Sequence, residues 1–320
     1  MGAKIRNRLG RLRPVVALNN VWRGARLRWH RDRLRDLGVK KPWFGLLKHA
    51  DVAGKGEGVA RLDRPDGLDE LRSDPHFQGL PEDLQESLIA WPERGYLVAE
   101  GFFDRDLVAR LNDELDGLMD AGTIREHHLS PRFMDVHRHA EAAGEITDDP
   151  RLAEMVELIL GRPGWLFQTI AFIRGSQQNA HSDAFHMMTE PPGFLVGVWV
   201  ALEDIDEGSG PVFYLPGSHR LPYVMTEDLD VEPGSALLVP DKNEAYVRRI
   251  REVADDAGTE PERFVARAGD VLFWHHNLLH GGTGITREGA TRRSLVAHYF
   301  GEDVLCYHEV TERPVQRAIA

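Results

Sequence analysis

LILGRPGWLFQTIAFIRGSQQNAHSDAFHM (158–187) carries three signals in succession. A helix leads into it. Asp149-Pro150 reads as its start, because aspartate caps free N–H groups and proline suits the first helical position. Leu152, Val156 and Ile159 form its inward face, and Gly161 stops it. Residues 165–173 then read as a β-strand rich in aromatic and branched side chains. After the strand comes His181-Ser182-Asp183. On an extended chain residues i and i+2 project to the same side, so His181 and Asp183 can grip one ion while Ser182 points away. Two imidazoles and one carboxylate fit one face of an iron octahedron and leave three positions open for chemistry. The second imidazole must come from elsewhere. WHHNLLHGG (274–282) offers His275, His276 and His280, and spacing alone does not choose among them. His280, 97 residues past Asp183, is preferred because Gly281-Gly282 lets the backbone turn tightly beside a metal. His275 and His276 read as packing or hydrogen-bonding residues near the strand end. With 15 His and 51 acidic residues, a tripeptide of this kind arises about once by chance, so its surroundings decide its value.

Those surroundings are a series of short β-rich segments at 194–202, 211–215, 235–239, 263–267, 270–274 and 293–300. Gly208-Ser209-Gly210, Pro216-Gly217, Pro233-Gly234 and Ala268-Gly269-Asp270 separate them as turns. Before the series, a helix is expected over 104–120, with Leu107, Leu111, Leu115 and Leu118 on one face and Asp104 as N-cap. A polar helix over 241–257 interrupts the strands. Helices first and strands afterwards predict a mainly β fold with helical buttresses, an α+β sandwich or barrel. Residues 43–80 are studded with Gly, Asp and Pro and read as loops. The chain thus divides into a basic, irregular extension (1–80) and a β-rich domain (81–320).

Composition narrows the class. Hydrophobic residues make up 42% of the 320 residues, enough for a sizeable core. Cys306 is the only cysteine, so no internal disulfide forms and a reducing, cytoplasmic compartment is expected. The net charge of −12 argues against a general nucleic-acid binder. It is unevenly spread. Residues 1–41 hold 13 Lys and Arg against Asp32 and Asp36, a balance of +11 that leaves −23 for the remainder. Leu9, Leu12, Val15, Val16, Trp22, Leu27 and Trp29 are interleaved with these charges. Such a segment suits the surface of an anionic membrane, an acidic partner, or the protein's own acidic body. Val15 to Leu18 is too short for a signal-peptide core, and FLVGVWVAL (194–202) is too short to span a bilayer.

Four stretches resemble the phytanoyl-CoA dioxygenase family of 2-oxoglutarate-dependent oxygenases. They are WPERGYLVAEGFFDRDLVARL (91–111), the stretch 158–187 quoted above, GVWVALEDIDEGSGPVFYLPGSHRLP (197–222) and GDVLFWHHNLLHGGTGITREGATRRSLVAHYF (269–300). The resemblance implies a double-stranded β-helix, a jelly-roll relative. It implies Fe(II) held by His181, Asp183 and His280, with 2-oxoglutarate as cosubstrate. A buried arginine on the last core strand would take the distal carboxylate, since a guanidinium fork binds carboxylate bidentately. Arg292 fills that place in TRRSLVAHYF (291–300), 12 residues past His280 and one more than the family's interval. Arg293 is the competitor, and strand alternation lets only one of the two point inward. Trp199 aligns with a tryptophan that lines the family's cosubstrate pocket, Gln168 on the strand before His181 could donate to a cosubstrate carboxylate, and Gly282 replaces a small polar residue whose hydrogen bond Thr283 could supply. His186, Met187, Arg174 and Tyr246 could border a substrate pocket, while His219 belongs to a family turn and is no ligand. The implied reaction is hydroxylation of a C–H bond of a small-molecule or lipid-like substrate by O2, with succinate and CO2 as co-products. Related halogenases have a small residue where Asp183 stands, so the intact carboxylate favours hydroxylation. A non-catalytic metal- or ligand-binding jelly roll is the alternative, as is a same-fold oxygenase performing desaturation, epimerisation or cyclisation.

Overall fold

The computed structural model describes residues 12–126, 132–231 and 242–317. Its centre is a six-stranded antiparallel sheet in the order β1-β8-β5-β10-β3-β2. These strands are β1 (Tyr96–Ala99), β2 (Phe133–Met134), β3 (Gly164–Phe172), β5 (Leu195–Ala201), β8 (Val271–His275) and β10 (Ser294–Gly301). A second sheet, β7-β6-β9, joins β7 (Glu262–Phe264), β6 (Val212–Tyr214) and β9 (His280–Gly282). A third joins β12 (Arg313–Pro314), β11 (Leu305–His308) and β4 (Met188–Glu190). The fold is therefore mixed α and β with antiparallel sheets. The expected strand at 235–239 lies outside the described residues.

Both faces of the central sheet are buried, which is why FLVGVWVAL is an unbroken apolar run. Side-chain alternation divides it. Val196, Val198 and Val200 of β5, with Phe273, Leu295 and Ala297, meet a layer of helices that contributes Leu88, Leu111, Leu115, Val156 and Ile159. The opposite face carries Trp199, Ala201, Leu272, Trp274 and Val296 and packs on Val212, Tyr214 and Phe264 of the second sheet. The Tyr96 and Tyr214 rings stand 4.2 Å apart across that space, and Trp199 and Phe264 5.5 Å apart. The candidate site lies between these two sheets.

The helices match the pattern read from the sequence, with one correction. Pro150–Leu160 is capped by Asp149, whose carboxylate accepts from the Arg151 N–H, and ends on Gly161 at φ 73°. Arg105–Asp120 buries Val108, Leu111 and Leu115. Asp104 occupies its N-cap position, but the side chain makes no capping hydrogen bond.

Residues 43–80 are not loops throughout. His49–Val52, Gly67–Arg72 and Pro75–Gly79 are short helices, too brief to show a periodicity. Local chemistry builds them: Asp74 accepts from the His76 N–H, and the Arg61 guanidinium bridges Glu70 at 3.1 Å and Asp74 at 3.0 Å. Leu62, Leu71 and Phe77 reach the main core. Further upstream, Arg13–Trp22 and Arg28–Asp36 are helices as well. Leu34, Leu47 and Val52 pack on Met188, Leu305 and Tyr307 of the third sheet. No described helix is long and apolar enough to cross a membrane.

His30 is 1% exposed in this docked segment, and burial pushes it down to about 4 from 6.5, partly offset by a hydrogen bond to the Cys306 backbone. The folded chain therefore holds His30 neutral over a range in which the unfolded chain protonates it. Stability from this group is full above pH 6.5 and is lost as pH falls toward 4. Urea unfolding should show wild type losing about 2 kcal/mol more than His30→Gln between pH 7 and 5. Equal losses in the two proteins would show that His30 is not buried against the sheet.

Candidate active site

His181 and His280 face each other across an isolated antiparallel bridge, each backbone N–H donating to the other's carbonyl at 2.9 Å. The extended geometry expected through Asp183 lasts only to Ser182, and Asp183 opens a short 3-10 turn, 183–185. Ser182 does point away: its hydroxyl meets that of Tyr246 at 3.2 Å, and it does not line the cavity that His181 and Asp183 line. One ligand atom from each of His181, Asp183 and His280 lies within 4.8 Å of the others, so these three can hold one metal ion. His181 Nδ1 meets the Asn179 carbonyl and His280 Nδ1 the Leu278 carbonyl, both at 3.0 Å. Each Nδ1–H is thereby spent on backbone, which leaves the Nε2 lone pairs for a cation. Burial, then neighbouring His280, pushes His181 down to about 4. Burial raises the Asp183 carboxyl, but His298 and His280 outweigh it and hold the group well below the usual range.

Gly281 and Gly282 serve a different purpose from the tight turn expected of them, since both lie in strand β9. A Cβ on Gly281 would meet the Gln178 carbonyl at 2.6 Å, and one on Gly282 would meet Ser176 Oγ at 2.9 Å. Close backbone approach excludes any side chain here. Thr283 does not fill the gap, because its hydroxyl donates to the Pro211 carbonyl at 2.9 Å.

His275 and His276 are engaged elsewhere. His275 Nε2 pairs with Asp63 at 3.1 Å, and His276 Nε2 donates to the Met187 carbonyl at 2.6 Å. His219 Nε2 donates to the Pro92 carbonyl at 3.2 Å.

The two arginines separate as alternation requires. Arg293 points outward and binds Asp116 at 2.7 Å and Asn112 at 3.2 Å. Arg292 is 2% exposed, and its Nε and Nη1 are buried without a hydrogen-bond partner. Its guanidinium lies 5.8 Å from the Trp199 ring and 5.7 Å from that of Phe172. Burial pushes it down to about 10, so it remains a cation at neutral pH. A buried guanidinium with two unsatisfied nitrogens demands an anion.

Arg292, Trp199, Gln168 and the three candidate ligands all line one cavity of about 780 Å³. His186, Met187 and Tyr246 line it too, whereas Arg174 does not. Tyr246 also stacks on Phe185 at 3.6 Å. It belongs to the helix Asn243–Ala257, so the polar helix that interrupts the strands forms part of the cavity wall.

Two residues were missed in the sequence. Trp274 Nε1 donates to Asp183 Oδ2 at 2.7 Å, and His298 Nε2 lies 3.4 Å from the same oxygen. Gln168 Nε2 donates to His298 Nδ1 at 3.2 Å and meets Met187 Sδ at 3.3 Å. Strand parity holds the signal for His298, since Arg292, Val296 and His298 are even steps apart and all line the cavity.

Comparison with known proteins follows the same lines. Residues 91–294 match the family Phytanoyl-CoA dioxygenase (PhyH). A probable phytanoyl-CoA dioxygenase of Caenorhabditis elegans is 28% identical over 145 residues, 45% of this chain and 43% of that protein. The chain thus spans less than half the length of this relative. Among solved structures, the non-heme alpha ketoglutarate dependent carbocyclase SnoK from nogalamycin biosynthesis superposes with a TM-score of 0.60 at 14% identity, covering 76% of this chain and 95% of SnoK. EctD from S. alaskensis with 2-oxoglutarate and 5-hydroxyectoine gives 0.54 at 21% identity, covering 73% and 85%. The fold is the one shared by these oxygenases. The chain belongs to the phytanoyl-CoA dioxygenase family.

Trp274 should matter to metal binding without touching the metal. Trp274→Phe removes the N–H that fixes Asp183, and affinity for Fe(II) should fall about 10- to 100-fold with the far-UV spectrum unchanged. Gly197→Ala should act the same way, because its Cβ would stand 2.3 Å from the Trp274 ring. Wild-type affinity in both variants would show that the indole does not orient the carboxylate.

Proposed function

We propose that this protein is an Fe(II)- and 2-oxoglutarate-dependent dioxygenase that hydroxylates a C–H bond of a small-molecule or lipid-like substrate, with succinate and CO2 as co-products. One observation carries the reading: the unpartnered Arg292 guanidinium shares a cavity with His181, Asp183 and His280. The donor set fits iron, with two neutral imidazoles and one carboxylate. The guanidinium fits the far carboxylate of a five-carbon dicarboxylic 2-oxo acid whose other end reaches the metal. The 2-oxoglutarate named with EctD supports the same assignment. We take residues 81–320 as the oxygenase domain, a double-stranded β-helix built from the facing sheets, and 1–80 as an extension whose described part docks on it. The single buried cysteine, Cys306, supports a reducing compartment such as the cytoplasm.

Bound iron would supply O2 activation coupled to decarboxylation of the 2-oxo acid. The chain's own residues prepare for it. His181 and His280 present fixed lone pairs, and Asp183 Oδ2 is tied back by Trp274, which turns Oδ1 toward His280 Nε2 at 3.9 Å. Arg292 sets the depth at which the cosubstrate binds. Trp199, Phe172, Ile170 and Val296 wall this space with apolar surface and exclude water from the reacting centre. Ring closure, the activity in SnoK's name, is the second reading, because it draws on the same residues.

Purified protein should take up about one Fe(II) per chain, and His181→Ala or His280→Ala should abolish both uptake and O2-dependent succinate formation. Retention of metal in His280→Ala with loss in His276→Ala would move the ligand set. Arg292→Ala should raise the 2-oxoglutarate requirement on the order of 30- to 1000-fold, with partial recovery in Arg292→Lys. A comparable loss in Arg293→Ala, beside an unchanged Arg292→Ala, would contradict the assignment.

A further inference from the structure

A second cavity of about 340 Å³ adjoins the first, and Met134, Gln168 and His308 line both. Four arginines line the second one, Arg23, Arg26, Arg138 and Arg313, against a single carboxylate, Asp135. They converge from three separate parts of the chain: the docked N-terminal segment, the turn after β2, and the C-terminal strand. In a chain of net charge −12, several exposed arginines elsewhere are neutralised, as in Arg105–Asp204 at 2.7 Å and Arg263–Glu207 at 2.8 Å. Here the arrangement differs. Arg23 meets only the neutral Gln316 at 3.2 Å, and Arg138 only the His137 ring at 3.5 Å. Neither these two nor Arg26 has an ion-pair partner among the described residues. Burial, and after it the charge of Arg23, pushes Arg313 below its ordinary range, so the guanidinium groups press on one another. The main cavity adds Arg132 besides Arg292, and the Arg132 Nε is buried without a partner. Arg132 stands two residues before Met134, which on an extended chain places both on the same side.

We propose that the substrate carries a phosphate ester, seated among Arg23, Arg26, Arg138 and Arg313, while its oxidisable C–H bond reaches past Met134, Gln168 and His308 into the main cavity. Several guanidinium forks around one concavity suit a dianion with three or four acceptor oxygens, whereas a single carboxylate occupies one fork. The inference rests on the catalytic reading above for the role of the main cavity, and it adds the substrate's chemical class.

The test is isothermal titration of inorganic phosphate into anaerobic protein loaded with Fe(II) and 2-oxoglutarate. Saturable binding is expected in wild type and a loss of at least about tenfold in the Arg23→Ser/Arg138→Ser double variant. Both side chains are exposed, so the variant should fold, and thermal melting checks this. Arg138→Lys should recover part of the loss. Succinate formation should respond to phosphorylated compounds and not to their dephosphorylated counterparts. A second arm sediments the protein with phosphatidylserine-containing vesicles, which separates a soluble phosphate ester from a lipid headgroup at a membrane surface. Equal phosphate affinity in wild type and double variant, or no phosphate binding in either, overturns the proposal. Vesicle binding that the double variant abolishes, without phosphate binding, also overturns it and makes the basic cluster a membrane contact. Failure of the wild type to bind 2-oxoglutarate would sink the catalytic reading alone, since phosphate binding is read independently.

Discussion

A buried carboxylate must be paired, and Asp183, 5% exposed, is paired on one side only. Trp274 at 2.7 Å and His298 at 3.4 Å hold its Oδ2, while Oδ1 looks toward His280 Nε2. Taking an ion out of water costs several kcal/mol, and one hydrogen bond to a charged group returns about 1.5–3 kcal/mol. The remaining oxygen faces imidazole nitrogens whose own N–H groups are already given to backbone carbonyls. That is a negative group beside two lone pairs, a set that a divalent cation completes. The geometry of the candidate metal site thus depends on the indole N–H and the His298 ring that hold Oδ2.

The indole can do this because of a single row across the central sheet. Gln168, His298, Gly197 and Trp274 lie directly opposite one another on β3, β10, β5 and β8. A side chain at position 197 would collide with the Trp274 ring, so the glycine opens the lane along which the ring lies toward Asp183. The next row, Ile170, Val296, Trp199 and Leu272, is wholly apolar, and beyond it stands Arg292. The polar groups beside the candidate metal ligands and the Arg292 cation are therefore separated by a hydrophobic band. That spacing lets an elongated dicarboxylate bridge them with its chain in apolar surroundings.

Sequence spacing revealed the parts of this arrangement that obey local rules. His181 and Asp183 were legible as a candidate pair two apart, although the chain stays extended only to Ser182; alternation made Arg292 and Arg293 exclusive, and the family resemblance chose Arg292. The strand series was legible from alternation and turn residues. Trp274 and His298 were not, since each acts through Asp183 across strands remote in sequence, and a tryptophan in a buried strand looks like core. Gly281 and Gly282 were legible as necessary but not for their reason: lack of space is set by the 176–178 loop, not by their own torsions. Residues 43–80 hid their helices because each is held by a cap or an arginine bridge instead of a periodic apolar face.

The charge asymmetry of the chain acquires a structural meaning from the same contacts. Part of the basic N-terminal segment is neutralised where it docks, as in Arg13 with Glu312 at 3.0 Å and Arg33 with Asp303 at 3.5 Å. Val16, Leu27 and Leu34 anchor it by burial. Arg23 and Arg26 have no ion-pair partner among the described residues and line the second cavity, so the described part of the segment forms a wall of that cavity. Gln168 is common to both cavities, and its amide fixes the tautomer of His298, which in turn bonds Asp183. Two hydrogen bonds therefore connect the basic chamber to the Asp183 carboxylate, a candidate metal ligand. Coupling of this kind needs contiguous contacts with a defined geometry, and this chain of contacts is short.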